Sequence, residues 1–165
     1  MEFKSFESLG MFHFSDSLKA VKAKLGKDIE YKESESYHLS LEKKNKSLHI
    51  EKYKLSILFH EDKKSIEFIE IEKGKFIFNG IDLFKEPYTE LLNKFQVLDE
   101  NLKVDDESGF ESKKIGFGVS RNLHNGNYSK YIKSAFAMSL EYIDRPIPSG
   151  DDILMHYLGY NPFDE

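Results

Sequence analysis

Tyr53-Lys54-Leu55-Ser56-Ile57-Leu58-Phe59-His60, Glu61-Asp62-Lys63-Lys64 and Ser65-Ile66-Glu67-Phe68-Ile69-Glu70-Ile71-Glu72 form the stretch that decides the fold. Positions 53, 55, 57 and 59 are all apolar, the period-2 signature of a strand with one buried face. Four charged residues then make a polar hairpin turn. The return strand slips phase: Ile66 and Phe68 share one face, Ile69 and Ile71 the other. It is therefore either buried on both faces or carries a bulge near Phe68 and Ile69.

Weaker strands are expected upstream at 37–41 and 47–50. Downstream, Lys75-Phe76-Ile77-Phe78 runs into Asn79-Gly80, a turn dipeptide suited to positive backbone dihedrals. Before the central hairpin, Ser15-Asp16-Ser17 can cap a short helix over about 16–25. Leu18, Val21 and Leu25 make its apolar face and Gly26 its left-handed exit. After it, Glu86-Pro87-Tyr88 opens a second helix, with proline at the first helical position. Tyr88, Leu91, Leu92 and Phe95 form one stripe facing a sheet.

Ile115, Phe117 and Val119 alternate with Gly116, Gly118 and Ser120, a strand whose bare face admits close approach of another chain segment. Residues 132–142 alternate in the same way, although Ala135, Phe136 and Met138 also suit a helix. Asn125-Gly126-Asn127 reads as the turn joining these two segments. In the tail, Ser149 and Asp152 stand at capping-box spacing for a short helix through Leu158, stopped by Gly159 and Pro162. Residues 1–165 thus read as a single α+β domain: a mostly antiparallel sheet of about six or seven strands with two or three short helices.

The composition narrows the chemistry. The 165 residues carry 24 basic and 29 acidic side chains, a formal charge of -5, with no cysteine and no tryptophan. Without cysteine there is no thiol nucleophile, disulfide, zinc-thiolate site or iron–sulfur cluster. No secretory signal pattern opens the chain and no run of about 18 apolar residues interrupts it, so it is expected to be cytoplasmic. The six histidines form no H-x-x-x-H or H-x-H pair. His38, His49 and His60 recur every eleven residues, which could align them across strands, but strand-edge positions explain them as well and no metal is expected. His60-Glu61-Asp62 places an imidazole beside carboxylates, yet in a predicted turn where solvation accounts for all three. There is no G-x-S-x-G elbow or Walker sequence. Gly116-Phe117-Gly118 lacks the third glycine of a phosphate cradle. No catalytic residue and no cofactor is expected.

Fourteen Phe and nine Tyr are a heavy aromatic load. Stacking on nucleic-acid bases would need a basic groove around the rings. Phe12, Phe59, Phe68, Phe76, Phe95, Phe117 and Phe136 fall in apolar phases instead and are expected to fill the core. Charge is unevenly spread: residues 1–80 carry +1, residues 81–165 carry -6, and 99–112 alone carry -5. Such a surface repels nucleic-acid phosphate and suits a basic partner. Asp99, Glu100, Asp105, Asp106 and Glu107 are the candidate contact residues. Asp151, Asp152 and Tyr157 form a second candidate, because aromatics beside carboxylates are hot-spot chemistry. A terminal helix docked on its own sheet would look the same.

Several segments together carry a family likeness: F-S-D-S-L-K-A-V-K-A-K-L-G, the hairpin S-I-L-F-H-E-D-K-K-S-I-E-F-I-E-I, F-N-G-I-D-L-F-K-E-P-Y-T-E-L-L, and G-F-E-S-K-K-I-G-F-G-V-S-R. Over about residues 10–142 the chain resembles the small α+β immunity proteins encoded beside bacterial polymorphic toxins, including those of contact-dependent growth inhibition. The segment 78–84 followed by a capped helix carries most of the likeness. The resemblance implies a cytoplasmic protein that binds a cognate toxin domain and blocks its active site or its docking to a target. It transfers no individual binding residue. A small regulatory or structural binding module, and a small enzyme with polar groups converging in an apolar pocket, are the competing readings.

Overall fold

The computed structural model describes residues 1–38, 43–60, 62, 64–105, 108–124 and 127–143. In chain order the elements begin with the short strands β1 (Phe3–Lys4), β2 (Ser8–Leu9) and β3 (Phe12–His13), followed by helix α1 (Leu18–Leu25). Then come β4 (Lys32–His38), β5 (Lys43–Ile50), a 3₁₀ turn at Glu51–Tyr53, β6 (Leu55–Phe59) and β7 (Ile66–Ile71). The hairpin β8 (Ile77–Phe78) and β9 (Ile81–Asp82) leads to helix α2 (Tyr88–Leu98), β10 (Lys103–Asp105), β11 (Gly109–Ser112) and β12 (Phe117–Ser120). The last described elements are β13 (Leu123–His124), β14 (Asn127–Tyr128), β15 (Ser134–Met138) and α3 (Leu140–Ile143). The fold is α+β, as expected, built on an antiparallel sheet of eight strands in the order β10-β11-β12-β15-β7-β6-β5-β4.

The central hairpin forms, and its phase slip is a bulge. Leu58 pairs with Phe68 but Phe59 pairs with Ile66, so Glu67 is the extra residue, one position before the expected site. The insertion returns Ile66, Ile69 and Ile71 to one face, opposite Phe59, Ile57 and Leu55, and all six are buried. Phe68 and Glu70 point to the other face. Ala135 and Ala137, Val119 and Phe117, and Phe110 extend the buried face across β15, β12 and β11.

Both longer helices cover that inner face. Ser17 caps α1 by accepting from the amide of Ala20 at 3.2 Å, rather than Ser15 or Asp16. Lys22 Nζ reaches Glu33 at 2.6 Å and holds α1 near the β4 end. Pro87 is the N-cap residue of α2, one position earlier than expected. Tyr88, Leu91 and Phe95 are buried, each worth about 1.5–3 kcal/mol of transfer free energy. Phe95 packs on Phe117 at 4.6 Å and on Phe110 at 5.5 Å, while Phe78 stacks on Phe95 at 5.7 Å. Asn79 and Gly80 take the expected positive φ, 48° and 79°, between β8 and β9.

Several elements differ from the sequence expectations. Phe12, Phe59, Phe76, Phe95 and Phe117 are core residues, but Phe68 and Phe136 lie half-buried on the outer face, stacked at 5.2 Å. The alternating run 132–142 is a strand only to Met138. Ser139 then caps α3 by accepting from the amide of Tyr142 at 3.1 Å, and the Tyr142 ring covers Phe68 at 5.6 Å. The segment 99–112, read from the sequence only as an acidic stretch, holds β10 and β11. The Asn125-Gly126 turn and the tail helix lie outside the described residues.

Candidate functional site

Helix α2 ends against the sheet edge formed by β10, and the acidic segment wraps this corner. Asp99 departs from the surface role expected of it. It is 2 % exposed, and its carboxylate accepts from Ser112 Oγ at 2.6 Å and from the amide of Asn101 at 3.0 Å. It is the joint between α2 and β11, so it cannot meet a partner. Glu100 and Asp105 are exposed, and Asp105 accepts from the amide of Ser108 at 3.1 Å to close the turn into β11. Asp106 and Glu107 lie outside the described residues, as do Asp151, Asp152 and Tyr157.

Apolar side chains are exposed on the same stretch of chain, at the end of α2 and on β10. Val97 is 87 % exposed, Leu98 38 % and Val104 37 %. Sequence reasoning passed over Val97, yet the signal was there: it stands roughly 200° round the helix from Phe95, off the buried stripe. On the outer face beside β10, a groove of about 220 Å³ is lined by Lys103, Asp105, Glu111, Ser120 and Phe136, among others. Gly109 is in its lining, and Phe136 at its side covers Gly118 of β12. A Cβ on Gly118 would lie 2.4 Å from Phe136 Cζ, so the bare face of β12 is filled by that ring. Next to the groove, Ser120 Oγ lies 2.6 Å from Ser134 Oγ, which donates to Glu70 at 2.7 Å.

A second polar group sits at the bulge. Glu67 is fully buried and accepts from Asn45 Nδ2 at 3.0 Å. His60, expected to be solvated in a turn, is only 6 % exposed. Its Nδ1 stands 3.8 Å from Glu67, and its Nε2 stands 3.5 Å from Ser139 Oγ and 3.3 Å from Glu141. Hydroxyl, imidazole and carboxylate follow one another as nucleophile, base and orienting group do. Ser139 is buried, however, and its oxygen already caps α3. The cluster therefore clamps β5, β6, β7 and α3 together. His49, by contrast, pairs with Ser56 across the sheet, its Nδ1 3.1 Å from Ser56 Oγ, so the eleven-residue spacing does not align it with His60. Among the described residues no group of three or more His, Asp or Glu side chains is arranged to hold a metal ion.

No family model and no curated protein sequence matches the chain. Its fold is similar to that of one solved structure, the uncharacterized protein YfeY from Escherichia coli. The two share a TM-score of 0.55 at 8 % sequence identity, over 82 % of this chain and 98 % of that one. At that identity the likeness speaks for the fold alone. No helix among the described residues is long and apolar enough to cross a membrane.

Proposed function

We propose that this protein is an immunity protein that binds a cognate bacterial toxin domain, a basic protein, and neutralises it by covering its active site or target-docking surface. The observation that carries the reading is the corner where α2 meets β10. Val97 and Leu98 are exposed at the end of α2 next to the exposed Glu100, Val104 is exposed on β10, and Asp105 is exposed on the opposite face of that strand, which ends the sheet among the described residues. Apolar anchors ringed by charge are what a protein interface uses: the anchors supply affinity on desolvation, while the charges set orientation and encounter rate. An acidic corner favours a basic partner and disfavours nucleic acid.

The test is co-expression with the product of the gene beside its own. Rescue from that product's lethality, with co-purification of the two proteins, is the expected result. A harmless neighbour, or a lethal one that the protein neither binds nor silences, removes the reading.

A further inference from the structure

The end of the sheet opposite in charge to the acidic corner carries a groove of about 540 Å³. Two turns build it. The 3₁₀ turn Glu51–Tyr53 ends at Lys54, a non-glycine residue held at φ 48°, and the link from β7 to β8 turns at Gly74 with φ 125°. The amide of Glu72 donates to the carbonyl of Lys54 at 2.9 Å, so the turns are locked side by side. Their alternating sequences, Glu51-Lys52-Tyr53-Lys54 and Lys73-Gly74-Lys75, place four lysines around one concavity with Tyr53 and Ile71 among its walls.

The charges in this groove are not balanced from within. Glu51 is the one carboxylate in the lining, and it is already engaged by Lys54 Nζ and, at 3.1 Å, by His49 Nε2. These bonds hold its carboxyl below the ordinary range, the Lys54 bond foremost. Among the described residues Lys52, Lys73 and Lys75 have no carboxylate within ion-pair distance. Neighbouring Glu72 is exposed and outside the lining. In a chain of net charge -5, three unpaired ammonium groups around one groove create a local field that attracts anions.

We propose that this groove binds a small phosphate-bearing anion of the pyrophosphate type, free or as the terminal phosphates of a nucleotide. Lysine holds phosphate as a point charge on a flexible stem, and three or four such charges match the formal charge of a diphosphate or triphosphate. Lys52 Nζ lies 5.6 Å from the centre of the Tyr53 ring, so its ammonium is held over that ring at the groove wall. The proposal stands apart from the toxin-binding reading, since it shares no residue with the α2–β10 corner.

The experiment titrates the full chain with inorganic pyrophosphate, and separately with ATP, at constant ionic strength without divalent metal, while following backbone amide shifts by NMR. Expected is saturable binding with shifts concentrated at 51–54 and 72–75, weakened by about tenfold or more in Lys73→Gln/Lys75→Gln. The thermal midpoint of that variant should be unchanged, because both side chains are exposed. Tighter binding of ATP than of inorganic triphosphate, titrated in the same way, assigns part of the site to the nucleoside, and equal affinities assign the site to phosphate alone. Shifts that never saturate, that sodium chloride reproduces, or that survive in the double variant overturn the proposal. A Lys52→Gln variant repeats the comparison on the other turn.

Discussion

At the residue scale, two acidic neighbours separate by role within one peptide bond. Asp99 is buried with its carboxylate bonded to Ser112 and Asn101, whereas Glu100 next to it is exposed. Removing the Asp99 carboxylate leaves the Ser112 hydroxyl and an amide without their acceptor, which costs about 1–3 kcal/mol. Glu100→Ala should stay within about 0.5 kcal/mol of the parent, as surface substitutions do. Urea unfolding of Asp99→Ala and Glu100→Ala decides the matter: equal midpoints would show that Asp99 is not the joint described here. From the sequence both looked like surface charge, because nothing local distinguishes a carboxylate that meets a serine thirteen residues away. His60 misled for the same reason. Its burial depends on Glu67 across the hairpin and on Ser139, which is 79 residues distant.

At the scale of elements, the bulge at Glu67 and the glycine track of β12 explain what was legible and what was not. Period-2 patterning marked β6, β12 and β15 because larger apolar side chains recur at every second position, although β12 and β15 are buried on both faces over most of their length, and the phase slip in β7 announced the bulge. The edge strand β10 and most of β4, which the expected strand at 37–41 met only at 37–38, escaped because their exposed residues carry no alternation: 32–35 are all exposed, as are Lys103, Val104 and Asp105. Glycine in β12 was read as permitting close approach, and the approach is made by a ring. A Cβ at position 118 would meet Phe136 Cζ at 2.4 Å and the Phe110 carbonyl oxygen at 2.7 Å. Gly118→Ala should therefore destabilise by about 1–3 kcal/mol, the usual cost of overpacking. Removing the ring in Gly118→Ala/Phe136→Ala should recover only part of what the two single losses sum to, since the carbonyl contact stays. A thermal-melt double-mutant cycle with a coupling near zero would mean that the ring is not what Gly118 makes room for.

At the scale of the whole molecule, the net charge of -5 is a sum over two opposed regions rather than a uniform property. Lysines gather at the turns before β6 and after β7, and exposed carboxylates gather at the end of α2 and on the edge strand β10. Such a separation steers an approaching protein, because the long-range field orients it before any contact forms. If the acidic corner meets a basic toxin domain, Glu100 and Asp105 act on the encounter and Val97 acts on the complex. Glu100→Lys/Asp105→Lys should then slow association by about 10- to 100-fold at low salt and flatten its ionic-strength dependence, with dissociation changed far less. Val97→Asp should do the reverse, speeding dissociation by removing a desolvated anchor while leaving the charge-driven encounter in place. Stopped-flow association with the co-purified partner at several salt concentrations separates the two effects. An association rate indifferent to both charge reversals would move the interface away from this corner, whatever the co-expression result.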